Sequence, residues 1–181
     1  MALSKIKKCV FLDRDGVLNS TIVRKGKDGS PRSLSELQIF DYVKNCLNKL
    51  RSKGYLLIVV TNQPDVARGL MTEATLKEIN DFILHELNLD DLFTCMHDSL
   101  QMCNCRKPQP GMLMEAAKKH QISLENSFMI GDRLTDIQAG LNAGCTNFLI
   151  SEKGKEITID GKVVAVHKNL QETVEYICEQ F

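Results

Sequence analysis

Short apolar runs along this chain alternate with stretches in which apolar residues recur every three or four positions. Residues 8–12 (Lys-Cys-Val-Phe-Leu) and 55–60 (Tyr-Leu-Leu-Ile-Val-Val) are largely apolar runs, the pattern of strands buried on both faces. Residues 127–130 and 146–150 read the same way, 92–96 more weakly, and 163–166 close the series. Val43, Cys46, Leu47 and Leu50 fall at i, i+3, i+4 and i+7, so 41–52 is predicted to be a helix, stopped by Gly54. Thr72 is a cap for a helix whose apolar face is Leu76, Ile79, Ile83 and Leu87. Further helices are predicted over 111–120 (behind Pro108 and Pro110), over 135–143 (ending at Gly144) and over 170–178. Alternating strands and helices imply an α/β fold, a three-layer Rossmann-like parallel sheet covered on both faces. Two polar stretches interrupt the pattern. Residues 26–31 are predicted to be a loop, and 153–162 a second one in which Asp160-Gly161 can turn a hairpin. With no internal repeat and no low-complexity linker, 1–181 is read as one domain.

Composition narrows the function classes. The 181 residues are 43% hydrophobic and 25% charged, enough apolar material for a self-sufficient core. Lys plus Arg and Asp plus Glu are both 23, so the formal net charge is zero and no global basic field favours a nucleic-acid partner. The run over 55–60 is too short to span a bilayer, and the apolar stretch after the N-terminal lysines is too short for a signal peptide. A cytoplasmic protein without a membrane partner is expected.

Candidate chemistry lies just beyond the predicted strands, where doubly wound sheets bind ligands. The first strand is followed by Asp13-Arg14-Asp15-Gly16, the second by Thr61-Asn62-Gln63, and 127–130 by Gly131-Asp132-Arg133-Leu134-Thr135-Asp136. Acids crowded on one edge call for a cation, and Mg²⁺ takes oxygen ligands. Asp13 and Asp15 lie two apart. In extended chain they face the same side, so one carboxylate can attack while the other moves protons. Singly, each feature has a plainer reading. Asp-Gly after a strand is turn chemistry, one Lys is usually solvated, and Asp136 suits the first turn of a helix.

Together the segments resemble the haloacid dehalogenase-like phosphohydrolases. Phe11-Leu12-Asp13-Arg14-Asp15-Gly16-Val17 is similar to their first motif, Thr61 after an apolar strand to the second, Lys107 in Cys105-Arg106-Lys107-Pro108 to the third, and Asp132 in Met129-Ile130-Gly131-Asp132 to the fourth. The resemblance covers roughly 8–150. It implies Asp13 as nucleophile, forming an aspartyl-phosphate, and Asp15 as the acid and base. Thr61 and Lys107 would hold the phosphoryl oxygens. Mg²⁺ would sit on Asp13, the backbone carbonyl of Asp15, and Asp132. Asp136 would orient this region or approach the metal.

A second cluster is legible without that resemblance. Cys95, His97, Cys103 and Cys105 supply three thiolates and one imidazole, a closed four-ligand set for structural zinc. Such a zinc would pin the loop carrying Arg106 and Lys107. The isolated Cys9, Cys46, Cys145 and Cys178 read as small core residues, and His85, His120 and His167 as surface or core.

The cluster running into Cys-Arg-Lys-Pro resembles the subgroup that holds heptose bisphosphate and histidinol-phosphate phosphatases. The stretch Thr61-Asn62-Gln63-Pro64-Asp65-Val66-Ala67-Arg68-Gly69 leans toward the heptose type, with Pro64-Asp65 where that type carries Ser-Gly. This implies a small phosphorylated sugar as substrate, namely a heptose 1,7-bisphosphate losing its 7-phosphate on the way to nucleotide-activated heptose. Asn62, Gln63, Arg68, Arg106 and Arg133 would bind it. For Arg24, a solvated surface role is favoured. The intervals between motifs leave no room for a large cap, so closure is expected from loops around 19–32, 62–69 and 98–107. A small monomer is the default for such a chain. Two rivals are a non-catalytic zinc-binding module and a nucleic-acid end phosphatase. The first leaves the acids at three strand ends unexplained, and the zero net charge and absent Trp speak against the second.

Overall fold

A computed structural model describes residues 6–152, 154 and 156–181 of the chain. In chain order these form β1 (Lys8–Leu12), β2 (Ile22–Arg24), β3 (Lys27–Gly29), α1 (Val43–Ser52), β4 (Tyr55–Asn62), α2 (Glu73–Glu86), β5 (Asp91–Cys95), α3 (Gly111–His120), β6 (Phe128–Gly131), α4 (Leu134–Ala143), β7 (Thr146–Ile150), β8 (Ile157–Ile159), β9 (Lys162–His167) and α5 (Leu170–Gln180). Short 3₁₀ turns occur at Leu34–Glu36 and Leu124–Asn126.

Seven strands form one sheet in the order β5-β4-β1-β6-β7-β9-β8. All neighbours are parallel except the terminal β8–β9 pair, which the turn at Asp160-Gly161 reverses. Both turn residues have positive φ, 50° and 75°, the geometry of a tight hairpin. This confirms the predicted turn; of the 153–162 stretch, Lys153 and Lys155 lie outside the described residues.

The central strands are buried on both faces because their neighbours are helices on both sides. Val10 and Leu12 of β1, with Leu57 and Val59 of β4, pack with α1, α2 and α5 through Leu47, Leu50, Ile79, Ile83, Val174 and Ile177. The alternate residues Cys9, Phe11, Ile58 and Val60 pack with α3 and α4 through Met112, Leu113, Ala116 and Ala139. Period-two alternation thus feeds two cores, and a polar residue within these strands would open one of them. Thr72 caps α2, accepting a bond from the Thr75 amide at 3.1 Å.

Element bounds differ from the periodicity by a residue or two. β4 runs two residues beyond the apolar run, through Thr61 and Asn62, because β5 continues to pair with it as far as Asn62↔Cys95. The polar stretch 26–31 is not simply a loop. Its first half pairs with Ile22–Arg24 as a separate two-stranded hairpin, turned at Lys25 and Gly26 with φ of 51° and 72°. Backbone bonds from Ser20 to Gln38 (2.9 Å) and from Phe40 to Leu18 (3.1 Å) moor its base. Among the described residues, no helix is long and apolar enough to cross a membrane.

Candidate active site

The carboxyl ends of β1, β4 and β6 lie side by side, so the residues that follow them converge. Asp13 leaves β1 with its amide still bonded to Ile130 of β6, at 2.9 Å. Lys107, on the segment before α3, reaches in from the side. Its ammonium is almost fully buried and donates to Asp13 Oδ1 (2.8 Å) and to the carbonyl of Val60 (2.7 Å). It also pairs with Asp136 Oδ1 at 2.7 Å. Burial alone would lower the Lys107 pKa, but the two carboxylates hold it above its ordinary value. The Lys107 backbone is fixed by Asn62, whose amide donates to the Lys107 carbonyl and accepts from its N–H, both at 3.1 Å. The Lys107–Pro108 peptide is cis.

One lysine does not balance the acids around it. Burial, with the charges of Asp136, Asp132 and Asp15, pushes the Asp13 carboxyl up to about 7 despite Lys107. Burial and Asp136 push Asp132 up to about 6. Oxygens of Asp13, Asp132 and Asp136 all lie within 4.8 Å of one another, and Asp132 Oδ1 is buried without a hydrogen-bond partner. An acceptor-only cluster with an orphaned oxygen is what a hard divalent cation satisfies, so this donor set fits Mg²⁺. Asp136 itself is committed elsewhere. Besides Lys107 it accepts the Arg133 amide at 3.0 Å, capping α4. The sequence offered Asp136 either to orient this region or to approach the metal, and it both makes these bonds and lies within the acid cluster.

Close packing holds these acids in place. A Cβ on Gly16 would lie 2.4 Å from Asp132 Oδ2, and Gly16 also needs φ of 87°. A Cβ on Gly131 would lie 2.2 Å from the Cβ of Asp136. Only glycine leaves room at either position.

Asp15 is held in a different environment. The Arg14 guanidinium forks onto both its oxygens at 3.1 Å, Asn19 donates to Oδ1 at 2.9 Å, and Gln63 donates to Oδ2 at 2.8 Å. Burial works against the charge, yet Arg14 and these donors hold the Asp15 carboxyl below its ordinary value. Arg14 is completely buried, and its remaining nitrogen donates to Asn80 of α2 at 2.9 Å, which in turn bonds Thr94 of β5. Gln63 also donates to Thr61 Oγ1 at 2.9 Å. Its side chain is fully buried and braces Asp15 and Thr61, which corrects the expectation that it faces substrate. Arg14, Asn19 and Asn80 were not singled out from sequence. Their partners lie up to 66 positions apart, and an arginine in a strand-end turn reads as solvated.

The four zinc candidates do come together. Cys95 Sγ lies 3.3 Å from Cys105, 3.8 Å from Cys103 and 3.5 Å from His97 Nδ1. Cys105 lies 3.5 Å from Cys103 and 3.3 Å from His97 Nδ1. Edges of a tetrahedral zinc site built on thiolate and imidazole bonds measure about 3.5–3.8 Å. The set therefore fits a closed zinc site, and Arg106, the next residue, donates to the His97 carbonyl at 2.9 Å. The remaining cysteines are unpaired thiols.

Above the acids opens a cleft of about 470 Å³, in the range of small-molecule sites. Asp13, Asp15, Thr61 and Lys107 line its floor, and its walls carry Arg24, Lys27, Arg32, Arg68, Arg106 and Arg133. The walls come from the hairpin, from residues 62–70, from Arg106 and from the start of α4. The 98–105 part of the zinc loop stands back from it. Arg24 is no solvated charge: it donates to the Ser30 carbonyl at 2.8 Å and pairs with Glu36. Arg68 pairs with Asp98 at 2.8 Å, while Arg133 is largely exposed.

Similarities to known proteins agree with this arrangement. A family model of haloacid dehalogenase-like hydrolases matches residues 20–144. A D-glycero-beta-D-manno-heptose-1,7-bisphosphate 7-phosphatase of Pasteurella multocida is 37% identical over 168 residues, 87% of this chain and 88% of that protein. A D-glycero-alpha-D-manno-heptose-1,7-bisphosphate 7-phosphatase of Campylobacter jejuni is 35% identical over 179 residues, covering 96% of this chain and 97% of that one. Among solved structures, the D,D-heptose 1,7-bisphosphate phosphatase of B. bronchiseptica, complexed with magnesium and phosphate, superposes with a TM-score of 0.82. It is 29% identical, with 96% of this chain and 99% of that chain covered. With a buried Asp-Lys-Asp centre at the strand ends and relatives of this kind over nearly its whole length, the chain belongs to the haloacid dehalogenase-like hydrolases and is a phosphatase.

Proposed function

We propose that the cleft hydrolyses a small sugar bisphosphate, and that the substrate is a heptose 1,7-bisphosphate losing its 7-phosphate. The observation that carries this reading is the charge distribution. One phosphate meets the acid-and-lysine floor, and arginines remain on the walls for another. The relatives named for that sugar support it. Histidinol phosphate, the competing substrate, carries an ammonium group at its far end, which the same arginines would repel.

Phosphatases of this family use Mg²⁺ and an aspartyl-phosphate. Asp13 and Asp132 would hold the ion, with the Asp15 carbonyl, and when bound it neutralises charge on the phosphate and its nucleophile. Lys107 holds Asp13 Oδ1, while Oδ2 has no protein hydrogen bond among the described residues and is free to attack phosphorus in line. As the Asp13 oxygen–phosphorus bond forms, the sugar oxygen leaves and takes a proton from Asp15. Thr61 and Lys107 hold the phosphoryl oxygens through the transfer. A water then gives its proton to Asp15 and attacks phosphorus, releasing inorganic phosphate and restoring Asp13. The Arg14 fork, with Asn19 and Gln63, lowers the Asp15 pKa, which supports its part as base in this second half. Its acid role in the first half requires the Arg14 fork to loosen. Zinc on Cys95, His97, Cys103 and Cys105 would be structural, fixing Arg106 beside Lys107.

Phosphate release with Mg²⁺ tests this directly. Heptose 1,7-bisphosphate should be turned over with kcat/KM far above that for histidinol phosphate. Equal or reversed preference would refute the bisphosphate reading.

A further inference from the structure

Arg32 and Arg68 are both held from behind by a carboxylate at Nε, Arg68 by Asp98 and Arg32 by the more deeply buried Asp65. Arg24 spends both terminal nitrogens, on Ser30 and Glu36, and Arg106 spends one on the His97 carbonyl. Arg32 donates only from Nε, to Asp65 Oδ2 at 2.8 Å, and its two terminal nitrogens have no protein partner among the described residues. Its backbone is fixed as well, the amide donating to Glu36 at 2.7 Å. Asp65 is buried, 8% exposed, yet both residues line the cleft that holds Asp13. The second Asp65 oxygen lies 3.7 Å from Arg68. One buried carboxylate therefore stands behind two arginines from separate segments.

An arginine held from behind at Nε presents its terminal N–H pair as a fork, the geometry that grips a phosphate through two bonds. Fixing it beforehand removes the entropy cost of ordering a long side chain on binding. We infer that Arg32 binds the phosphate of the sugar bisphosphate that is not cleaved, and that Asp65 is the positioning residue that aims it. This rests on the bisphosphate reading above and adds a residue that the sequence did not nominate. It also gives a role to Asp65, at the point where the chain departs from the Ser-Gly of the heptose type.

Steady-state kinetics on heptose 1,7-bisphosphate and on p-nitrophenyl phosphate, which lacks a second phosphate, test the inference. Arg32→Ala and Asp65→Ala should raise KM for the bisphosphate with little change in kcat. The ratio of kcat/KM between the two substrates should fall about tenfold or more. Asp65→Asn keeps an acceptor for Arg32 Nε and should recover most of that ratio. If wild-type protein shows no preference for the bisphosphate, the substrate reading fails and this inference with it. If wild type shows that preference and the variants keep its ratio, or if Asp65→Asn behaves as Asp65→Ala, the inference alone is overturned.

Discussion

Lys107 stands between Asp13 and Asp136, its ammonium 2.8 Å from the first and 2.7 Å from the second. This one side chain joins Asp13, the proposed nucleophile, to the cap of α4, so its loss should affect stability and chemistry together. Removing it leaves two buried carboxylates facing each other. Lys107→Ala should cost about 3–5 kcal/mol, read from urea unfolding of the metal-free protein, and lower kcat at least 100-fold, an order-of-magnitude expectation for losing a charge stabiliser. Near-normal turnover in that variant would contradict its role at the phosphoryl oxygens.

Acid should weaken Mg²⁺ binding. Asp13 and Asp132 titrate near 7 and 6 in the metal-free site, well above the ordinary carboxylate value of 3.8. Protons compete with the ion there, so affinity should rise as pH climbs from 5 to 8, with proton release on binding. Calorimetry in buffers of different ionisation enthalpy counts those protons. The stability sign is the reverse of a salt-bridged carboxylate. Between about 4 and 7 these two acids hold more protons folded than unfolded, so their contribution makes metal-free stability fall as pH rises through that window. Mg²⁺ should reverse the trend.

Arg14 sets the protonation of Asp15. Its fork lowers the Asp15 pKa against the burial that raises it, so Arg14→Lys, which loses one of the two bonds, should raise that pKa. The pH–rate profile of kcat/KM reports this as a limb displaced to higher pH. An unmoved profile, with the fold intact by circular dichroism, would mean that Arg14 only supports the core.

The fold and the site were unequally legible in the sequence. The strands and helices around the site could be read because both faces of β1 and β4 are apolar and the helices repeat cleanly. Asp13, Thr61 and Asp132 stood out because they follow predicted strands, and Lys107 only because Cys105-Arg106-Lys107-Pro108 resembles the family's third motif. The hairpin at 22–29 was missed since each strand has only three residues and its turn puts Lys25, not Asn or Asp, at positive φ. Gln63 was misplaced, and Arg14 overlooked, for one reason. Which way a polar side chain turns at a strand end depends on partners from remote segments, here Asp15 and Asn80, that periodicity does not reveal.

Stripping zinc should act on catalysis through position. Arg106 and Lys107 directly follow the Cys103–Cys105 pair, and Arg106 is tied to His97. Cys103→Ser should lose bound zinc, measured by elemental analysis, and raise KM more than it lowers kcat. Full zinc content in that variant would contradict the four-ligand assignment.

The most direct test of the account is ³¹P NMR of heptose 1,7-bisphosphate, offered as each anomer, during turnover with Mg²⁺. The C7 phosphate signal should be lost and inorganic phosphate appear while the anomeric phosphate persists. Loss of the anomeric phosphate instead, or no release from either anomer, would contradict it.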